Sequence, residues 1–447
     1  MSFDAVLIAN RGEIALRVIE ACRELGLESI VAYSEADADM PYLSLADRAI
    51  CIGPPEPAKS YLNIAAIISA AELNGAGAIH PGYGFLAENP HFVEVCEEHG
   101  LTFIGPPRGA MELLGDKVAA RKAVAEIGVP VLPGTAMPED SDEQIAAAES
   151  IGYPVLVKSV YGGGGRGMRW VTDPNELLSK VSAAAEEAKG ATGSNDLYLE
   201  KVLEDPRHIE VQIMADGSGN VIHLGERDCS IQRRHQKLIE ETPAPNLPQE
   251  TREAIWEAAL NAARAVGYQN AGTVEFVVGP DNAFYFIEMN ARIQVEHSVS
   301  EMICGLNLIK EQIRVALGEP LSHSQDEIPF RGHAIECRIN AEDPDKEFMP
   351  CCGTVGIEQL PGGNGIRFDS ALYQGMPVQP HYDSLIGKLM AWGESRDEAI
   401  VRMETSLERL QLTGIRTTTP LLIDIIRHPA FRAGDVTTRF LEQHLSQ

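Results

Sequence analysis

The sequence predicts a protein of α/β and α+β class: a parallel-sheet N-terminal domain, a mobile central lid and a mixed C-terminal domain. Three observations carry this expectation. Strand-like and helix-like patterns alternate through about the first hundred residues, a glycine run stands between two strand-like segments after Val160, and hairpin patterns then interleave with helix patterns. At 447 residues, 44% of them hydrophobic, the chain is long enough for roughly two to four domains around separate cores.

The first element is the continuous apolar run Ala5–Ala9. Ile14, Val18, Cys22 and Leu25 then recur at helical spacing before Gly26, and Ser29–Tyr33 reads as the next strand. This is a βαβ unit. A helix pattern from about Leu62 to Leu73, the apolar Ala76–Ile79, a helix over Phe92–His99 and the strand Leu101–Ile104 continue the alternation. A parallel, Rossmann-like sheet flanked by helices follows. Asn10-Arg11-Gly12-Glu13 follows the first strand where a dinucleotide fold would carry G-x-G-x-x-G, so that signature is missing.

From Val129 the texture changes. Pro130, Pro133 and Pro138 mark a connection, and a helix pattern over Asp142–Ser150 leads into the strand Pro154–Val160. Gly162–Gly167, the strand Met168–Val171, a helix over Asn175–Lys189 and the strand Leu197–Val202 come next. Val211–Met214 and Val221–Leu224 form one hairpin pattern, Thr273–Val278 and Phe284–Met289 another. A helix at Leu306–Leu317, strands at Ala334–Ile339 and Leu385–Ala391, and a helix over Arg396–Leu410 complete the chain. The expected domains are 1–115, 116–330 with a lid at about 131–203, and 331–447.

Charge and cysteines bound the function. With 37 Lys and Arg against 65 Asp and Glu the net charge is −28, which argues against a duplex nucleic-acid face or an anionic-membrane patch. No apolar stretch approaches the roughly 20 residues that cross a bilayer, so the cytoplasm is expected. The eight cysteines include no C-x-x-C pair and no zinc spacing, and scattered thiols suit a reducing compartment. Vicinal Cys351-Cys352 reads as two thiols in a loop.

Three segments carry chemistry. The glycine run fits G-x-G-x-x-G by letter count, but a strand rather than a helix follows, and Met168 stands where a Walker lysine would be. A glycine loop between strands reads as a flap whose N–H groups close over phosphates, with Lys158 on the strand entering it. Glu275 and Glu288, on adjacent strands and surrounded by apolar residues, repel unless a cation lies between them, and Asn290 adds a neutral oxygen. Oxygen ligands suit Mg²⁺. Beyond the strand the polar alternation continues through Arg292, Gln294 and Glu296. The third segment, Cys229–Lys237, concentrates Arg233, Arg234, His235 and Lys237 in an acidic chain, a local field for anions.

Together these motifs resemble the biotin carboxylase family of ATP-grasp enzymes, in particular the free-standing subunits of acetyl-CoA carboxylase. The resemblance spans nearly the whole chain. It rests on Ile8–Ala15, His80–Phe85, Gly115-Asp-Lys117, Gly162–Met168, Glu226–Lys237, Phe286–Asn290, Arg292–His297, Glu336–Asp343 and Tyr382-Asp-Ser384. It implies carboxylation of biotin with ATP and bicarbonate through carboxyphosphate. Lys117, Lys158, Gly164, Gly165, Glu200, Lys201, Val202, Leu203, His208, Gln232 and His235 would contact ATP. Glu275, Glu288 and Asn290 would hold Mg²⁺ or Mn²⁺, two ions with ATP. Lys237, Arg292, Gln294 and Val295 would hold bicarbonate, Glu296 would be the general base, and Arg338 would stabilise the biotin oxyanion.

The chain departs from the family pattern at Tyr161, Ala291, Ser298 and Cys351-Cys352, none of which removes an implied ligand. It contains no Met-Lys-Met, so biotin would ride on a separate carrier protein, with a separate carboxyltransferase. A homodimer is implied by the resemblance alone. The rival readings are another ATP-grasp ligase, disfavoured by Arg292–Glu296 with Arg338, and an ATP-binding regulatory protein, disfavoured by Glu296 and the metal carboxylates.

Overall fold

The computed structural model describes residues 3–160 and 168–445. The glycine run 161–167, and with it Gly164, Gly165 and Tyr161, lies outside the described residues.

The N-terminal unit is a five-stranded, wholly parallel sheet in the order Arg48–Gly53, Glu28–Ser34, Ala5–Ile8, Ala78–His80, Thr102–Phe103. Its central strand is buried on both faces, which is why it reads as an unbroken apolar run rather than an alternation. Leu7 packs with Ile67, Ile68 and Phe92, while Val6 and Ile8 pack with Ile14, Val18 and Cys22. The helix Gly12–Leu25 ends at Gly26, whose φ of 70° is the left-handed cap that sequence position suggests. His80-Pro-Gly-Tyr-Gly is tied to the first loop by Asn10, whose Nδ2 donates to the carbonyls of Pro81 (2.7 Å) and Tyr83 (2.8 Å). Gly82 has no room for a side chain: a Cβ there would meet Asn10 Nδ2 at 2.7 Å, and its φ is +63°.

The region expected to form the lid is a four-stranded antiparallel sheet, Gly134–Ala136, Leu197–Lys201, Val155–Ser159, Arg169–Val171. The helices Ser141–Ile151 and Leu177–Thr192 cover it through Ala148, Leu177, Val181 and Ala184.

Residues after the lid build one eight-stranded antiparallel sheet. Its order is Phe284–Asn290, Asn270–Val278, Arg207–Ala215, Val221–Arg233, Gln236–Thr242, His333–Asn340, Leu385–Gly393, Ile366–Ser370. The sheet therefore runs from the central region into the C-terminal region through the pairing of Gln236–Thr242 with His333–Asn340. Ile335, Cys337 and Ile339 face the helices Arg396–Arg409 and Thr419–Arg427.

Two stretches take forms that the sequence reading left open. The basic segment is a hairpin: Val221–Arg233 turns through Arg234 and His235, at φ 47° and 66°, into Gln236–Thr242. Two left-handed residues are what a two-residue hairpin turn demands. The second strand of the Glu275–Glu288 pair ends at Asn290, as its sequence pattern suggests, but the polar alternation that continues past it does not sort into a buried and an exposed face. Beyond it Ile293, Val295, Gln294 and Glu296 are all buried or half-buried, because the loop is enclosed on both sides.

Candidate active site

The sheet ladder places the carboxylates. Glu275 lies directly opposite Glu288 on one side and Glu210 on the other, so all three share a face. Gln232 is opposite Lys237 near the adjoining hairpin turn. Lys237 is the hub of the site. Its Nζ donates to Glu210 Oε2 at 2.5 Å, Glu296 Oε1 at 2.7 Å, Glu275 Oε1 at 3.0 Å and Gln294 Oε1 at 3.2 Å. Burial would lower the Lys237 pKa, but Glu210, Glu275 and Glu296 outweigh it and push the ammonium well above its ordinary range.

Glu296 is held between two cations, accepting from Lys237 and from Arg338 Nη2 at 2.8 Å. Burial would raise its carboxyl, yet Lys237, Arg338 and Arg227 hold it well below the usual carboxylate range. Glu275 is likewise depressed against its burial, by Lys237 and by His208, whose Nε2 is 3.0 Å from Glu275 Oε2. Arg338 reaches from its strand to Glu240 Oε1 at 2.6 Å with Nε. Arg292 is oriented by Glu88, which accepts from its Nε at 2.9 Å and from the Ala291 amide at 3.1 Å. The Val295 carbonyl accepts from the fully buried Lys388 at 2.8 Å. Ser298 has a role here: its Oγ accepts a second bond from Lys388, also 2.8 Å.

Further charges come from the helix Lys117–Glu126 and the four-stranded sheet. Lys117 starts a helix, Lys117–Glu126, capped by Asp116, and its Nζ is 3.1 Å from Glu288 Oε2. One turn on, Arg121 pairs with Glu200, whose other oxygen accepts from Lys158 at 2.7 Å. Lys201 is spent within the lid, donating to the carbonyls of Gly152 (2.8 Å) and Tyr153 (3.0 Å). Val202 is buried and Leu203 half-buried at the end of this strand. His235 sits exposed on the hairpin turn, where partial burial and the nearby His208 lower its pKa.

The donor set fits a hard divalent cation. Glu275, Glu288 and the Asn290 amide supply oxygen from one face of two paired strands, without a thiolate to favour a softer metal. His208, Glu210 and Glu275 offer a further group with ligand atoms within 4.8 Å of one another.

Sequence reasoning missed several groups. Glu210 is fully buried, with Arg227 Nε at 2.6 Å beside Lys237. The signal for it was present: Glu210 and Gln212 alternate with Ile209, Val211 and Ile213, the same pattern that singles out Glu275. Lys388, the only charge in an apolar strand, gave the same signal, whereas Glu88 and Arg121 gave none.

Residues 2–111 match the family described as biotin carboxylase, N-terminal domain; residues 116–324 match the carbamoyl-phosphate synthase L chain, ATP binding domain; residues 336–443 match the biotin carboxylase C-terminal domain. The chain belongs to the biotin carboxylase family. It is 52% identical over 444 residues to the biotin carboxylase of Pseudomonas aeruginosa, covering 99% of this chain and 98% of that one. It is also 50% identical over 443 residues to the 2-oxoglutarate carboxylase small subunit of Hydrogenobacter thermophilus, covering 99% and 94%. Among solved structures, the biotin carboxylase–βγ-ATP complex from Campylobacter jejuni superposes with a TM-score of 0.96 at 48% identity, covering 99% of both chains. The biotin carboxylase domain dimer of the Hydrogenobacter thermophilus enzyme, in complex with MgADP, ADP and bicarbonate, gives 0.95 at 49% identity, covering 99% and 98%. The architecture is that of an ATP-grasp biotin carboxylase, an ATP-dependent carboxylating ligase.

Proposed function

We propose that the chain carboxylates biotin on a separate carrier protein, using ATP and bicarbonate, as the first half-reaction of acetyl-CoA carboxylase. The observation that carries this is Glu296 clasped between Lys237 at 2.7 Å and Arg338 at 2.8 Å. One carboxylate thus touches both a cation suited to bicarbonate and a cation suited to a developing oxyanion.

Lys117 and Lys158 neutralise phosphate charge, with the Glu200–Leu203 segment, His208, Gln232 and His235 along the nucleotide and the flap glycines Gly164 and Gly165 over it. Glu275, Glu288 and Asn290 hold Mg²⁺ or Mn²⁺, which supplies charge neutralisation at the transferring phosphoryl group. Lys237, Arg292, Gln294 and Val295 hold bicarbonate. Glu296 takes the bicarbonate proton as the bicarbonate oxygen attacks the γ-phosphorus and the bond to ADP breaks.

A carboxylate with so low a proton affinity is a poor base until its surroundings change. Bicarbonate seated against Lys237 and Arg292 adds a negative charge that offsets the cations around Glu296 and raises its affinity when the proton must move. Carboxyphosphate then falls to CO₂ and phosphate. The phosphate accepts the biotin ureido proton, Arg338 stabilises the resulting oxyanion, and the ureido nitrogen forms its bond to CO₂.

The homodimer described for the Hydrogenobacter domain is the assembly we propose here, with a biotin carrier and a carboxyltransferase as further partners. The eight free cysteines agree with a reducing cytoplasm. The test is ADP release with ATP, Mg²⁺ and bicarbonate, with and without free biotin. Biotin-dependent release, lost in Glu296→Ala and Arg338→Ala, is expected. Biotin-independent release sinks the proposal in favour of another ATP-grasp ligase, and ATP binding without turnover sinks it in favour of a regulatory protein. Supplying carrier and carboxyltransferase with acetyl-CoA, propionyl-CoA or pyruvate then identifies the acceptor.

A further inference from the structure

Behind Arg338 lies a second pair of carboxyls to which no role has been given. Glu240 and Glu336 are directly opposite one another in the ladder between Gln236–Thr242 and His333–Asn340. Their side chains therefore leave the same face of the sheet as direct cross-strand neighbours. Both are 0% exposed. Glu240 Oε1 accepts from Arg338, but among the described residues its Oε2 and both oxygens of Glu336 have no hydrogen-bond partner.

Two ionised carboxylates cannot share such a site, and an acceptor-only group with no donor is poorly buried. A single proton resolves both difficulties. A protonated carboxyl becomes a donor, its O–H has an adjacent carboxylate to bond, and the pair carries one negative charge rather than two. We infer that Glu336 is a positioning residue: it holds a proton at neutral pH and donates to Glu240, fixing the ionised Glu240 that in turn orients Arg338.

The surroundings agree. Glu336 faces Glu240 and Lys388 on the flanking strands, Arg338 on its own strand, and Glu296 and Tyr83 from loops; the helix His297–Cys304 on that face carries His297 and Glu301. The helices Arg396–Arg409 and Thr419–Arg427 pack on the opposite face. Lys388 is engaged elsewhere, donating to Val295 and Ser298 and paired with the carboxylates of Glu13 at 3.3 Å, on the helix Gly12–Leu25, and Asp369 at 4.0 Å, on the strand Ile366–Ser370. Burial, with Glu240 adding to it against Lys388 and Arg338, pushes the Glu336 carboxyl well above the carboxylate range, and burial pushes Glu240 up to about 7. A rise in pH that removes the shared proton sets two negative charges behind Arg338 and draws its guanidinium back from the side where an oxyanion develops.

This inference rests on the proposed role of Arg338, so the test has two separable arms. Infrared difference spectroscopy of the full chain, without ATP, bicarbonate or biotin, reads the proton directly. A protonated-carboxyl C=O band at neutral pH, sensitive to deuterium and lost in Glu336→Gln, is expected. Absence of such a band in the wild-type protein overturns the inference whether or not any variant folds. In the second arm, Glu336→Gln, whose amide donates where the acid does, should retain biotin-dependent turnover that Glu336→Ala loses by about 10–100-fold. Its alkaline limb should move to higher pH than that of the wild type. Equal losses in the two variants, or identical alkaline limbs in Glu336→Gln and wild type, overturn it. An intact band with no biotin-dependent turnover in the wild type refutes the reading of Arg338 instead.

Discussion

Replacing Lys237 by Met tests the centre of the site. At an effective dielectric of about 20, unit charges 4 Å apart attract by about 4 kcal/mol. Lys237 makes three closer pairs, at 2.5, 2.7 and 3.0 Å, set against the cost of burying every ion. Removing one partner of a buried ion pair costs about 3–5 kcal/mol in net terms. The lower end applies here, because Glu210 keeps Arg227 at 2.6 Å, Glu296 keeps Arg338 at 2.8 Å, and Glu275 keeps the His208 ring nitrogen at 3.0 Å as a polar partner. We therefore expect Lys237→Met to fold but to unfold more easily by about 3 kcal/mol. Loss of the fixed cation proposed to hold bicarbonate should cut kcat/KM for bicarbonate by about 10²–10³-fold. The assay is biotin-dependent ADP release against bicarbonate concentration over a pH series, with ATP affinity measured in parallel by calorimetry. Glu296 also loses the largest of the attractions depressing its pKa. Its stabilisation is present above the unfolded carboxyl pKa and is lost as pH falls through the folded value, so in Lys237→Met that loss and the acid limb of the rate both begin at higher pH. Bicarbonate kinetics in Lys237→Met within about threefold of wild type would refute the reasoning, since no transition-state contact would then have been removed.

Three further outcomes are expected. Glu288→Gln should raise the Mg²⁺ concentration for half-maximal ADP release by at least about tenfold, and chelation of the metal should abolish release; an unchanged Mg²⁺ requirement removes Glu288 from the metal site. Gly82→Ala should destabilise the N-terminal unit by about 1–3 kcal/mol, read as faster hydrogen exchange around Asn10, because the new Cβ strikes Asn10 Nδ2 at 2.7 Å at a φ of +63°. His80 is fully buried, and burial lowers its pKa to about 4, so it stays neutral in the folded chain while the unfolded chain takes up its proton below about 6.5. Stability should fall as pH drops from about 6.5 to 4, by about 3 kcal/mol from this group, and hydrogen exchange should find a shallower fall in His80→Asn.

Much of this molecule is written locally. Hydrophobic periodicity marks the βαβ unit because a doubly buried strand is apolar throughout and a surface helix is apolar on one stripe. Glu275, Glu288 and Asn290 were legible because polar residues alternating with buried apolar neighbours on paired strands need a cation or a donor. The same reasoning could have found Glu210 and Glu336, each framed by apolar residues in its strand.

What the sequence by itself determined was therefore the order of elements, the turn glycines, the paired carboxylates of the candidate site and the family. Tertiary structure alone decided which charges meet. Glu88 reaches Arg292 across 204 positions and Lys388 reaches Val295 across 93, and no local pattern records such a pairing. Only the tertiary structure shows that residues 291–296 are enclosed on both sides, and that Glu336 is left without a hydrogen-bond partner among the described residues behind Arg338. The physical reason is that periodicity reports a residue's average exposure to water, whereas the protonation state and bonding of a buried charge depend on which distant groups packing brings within a few ångströms.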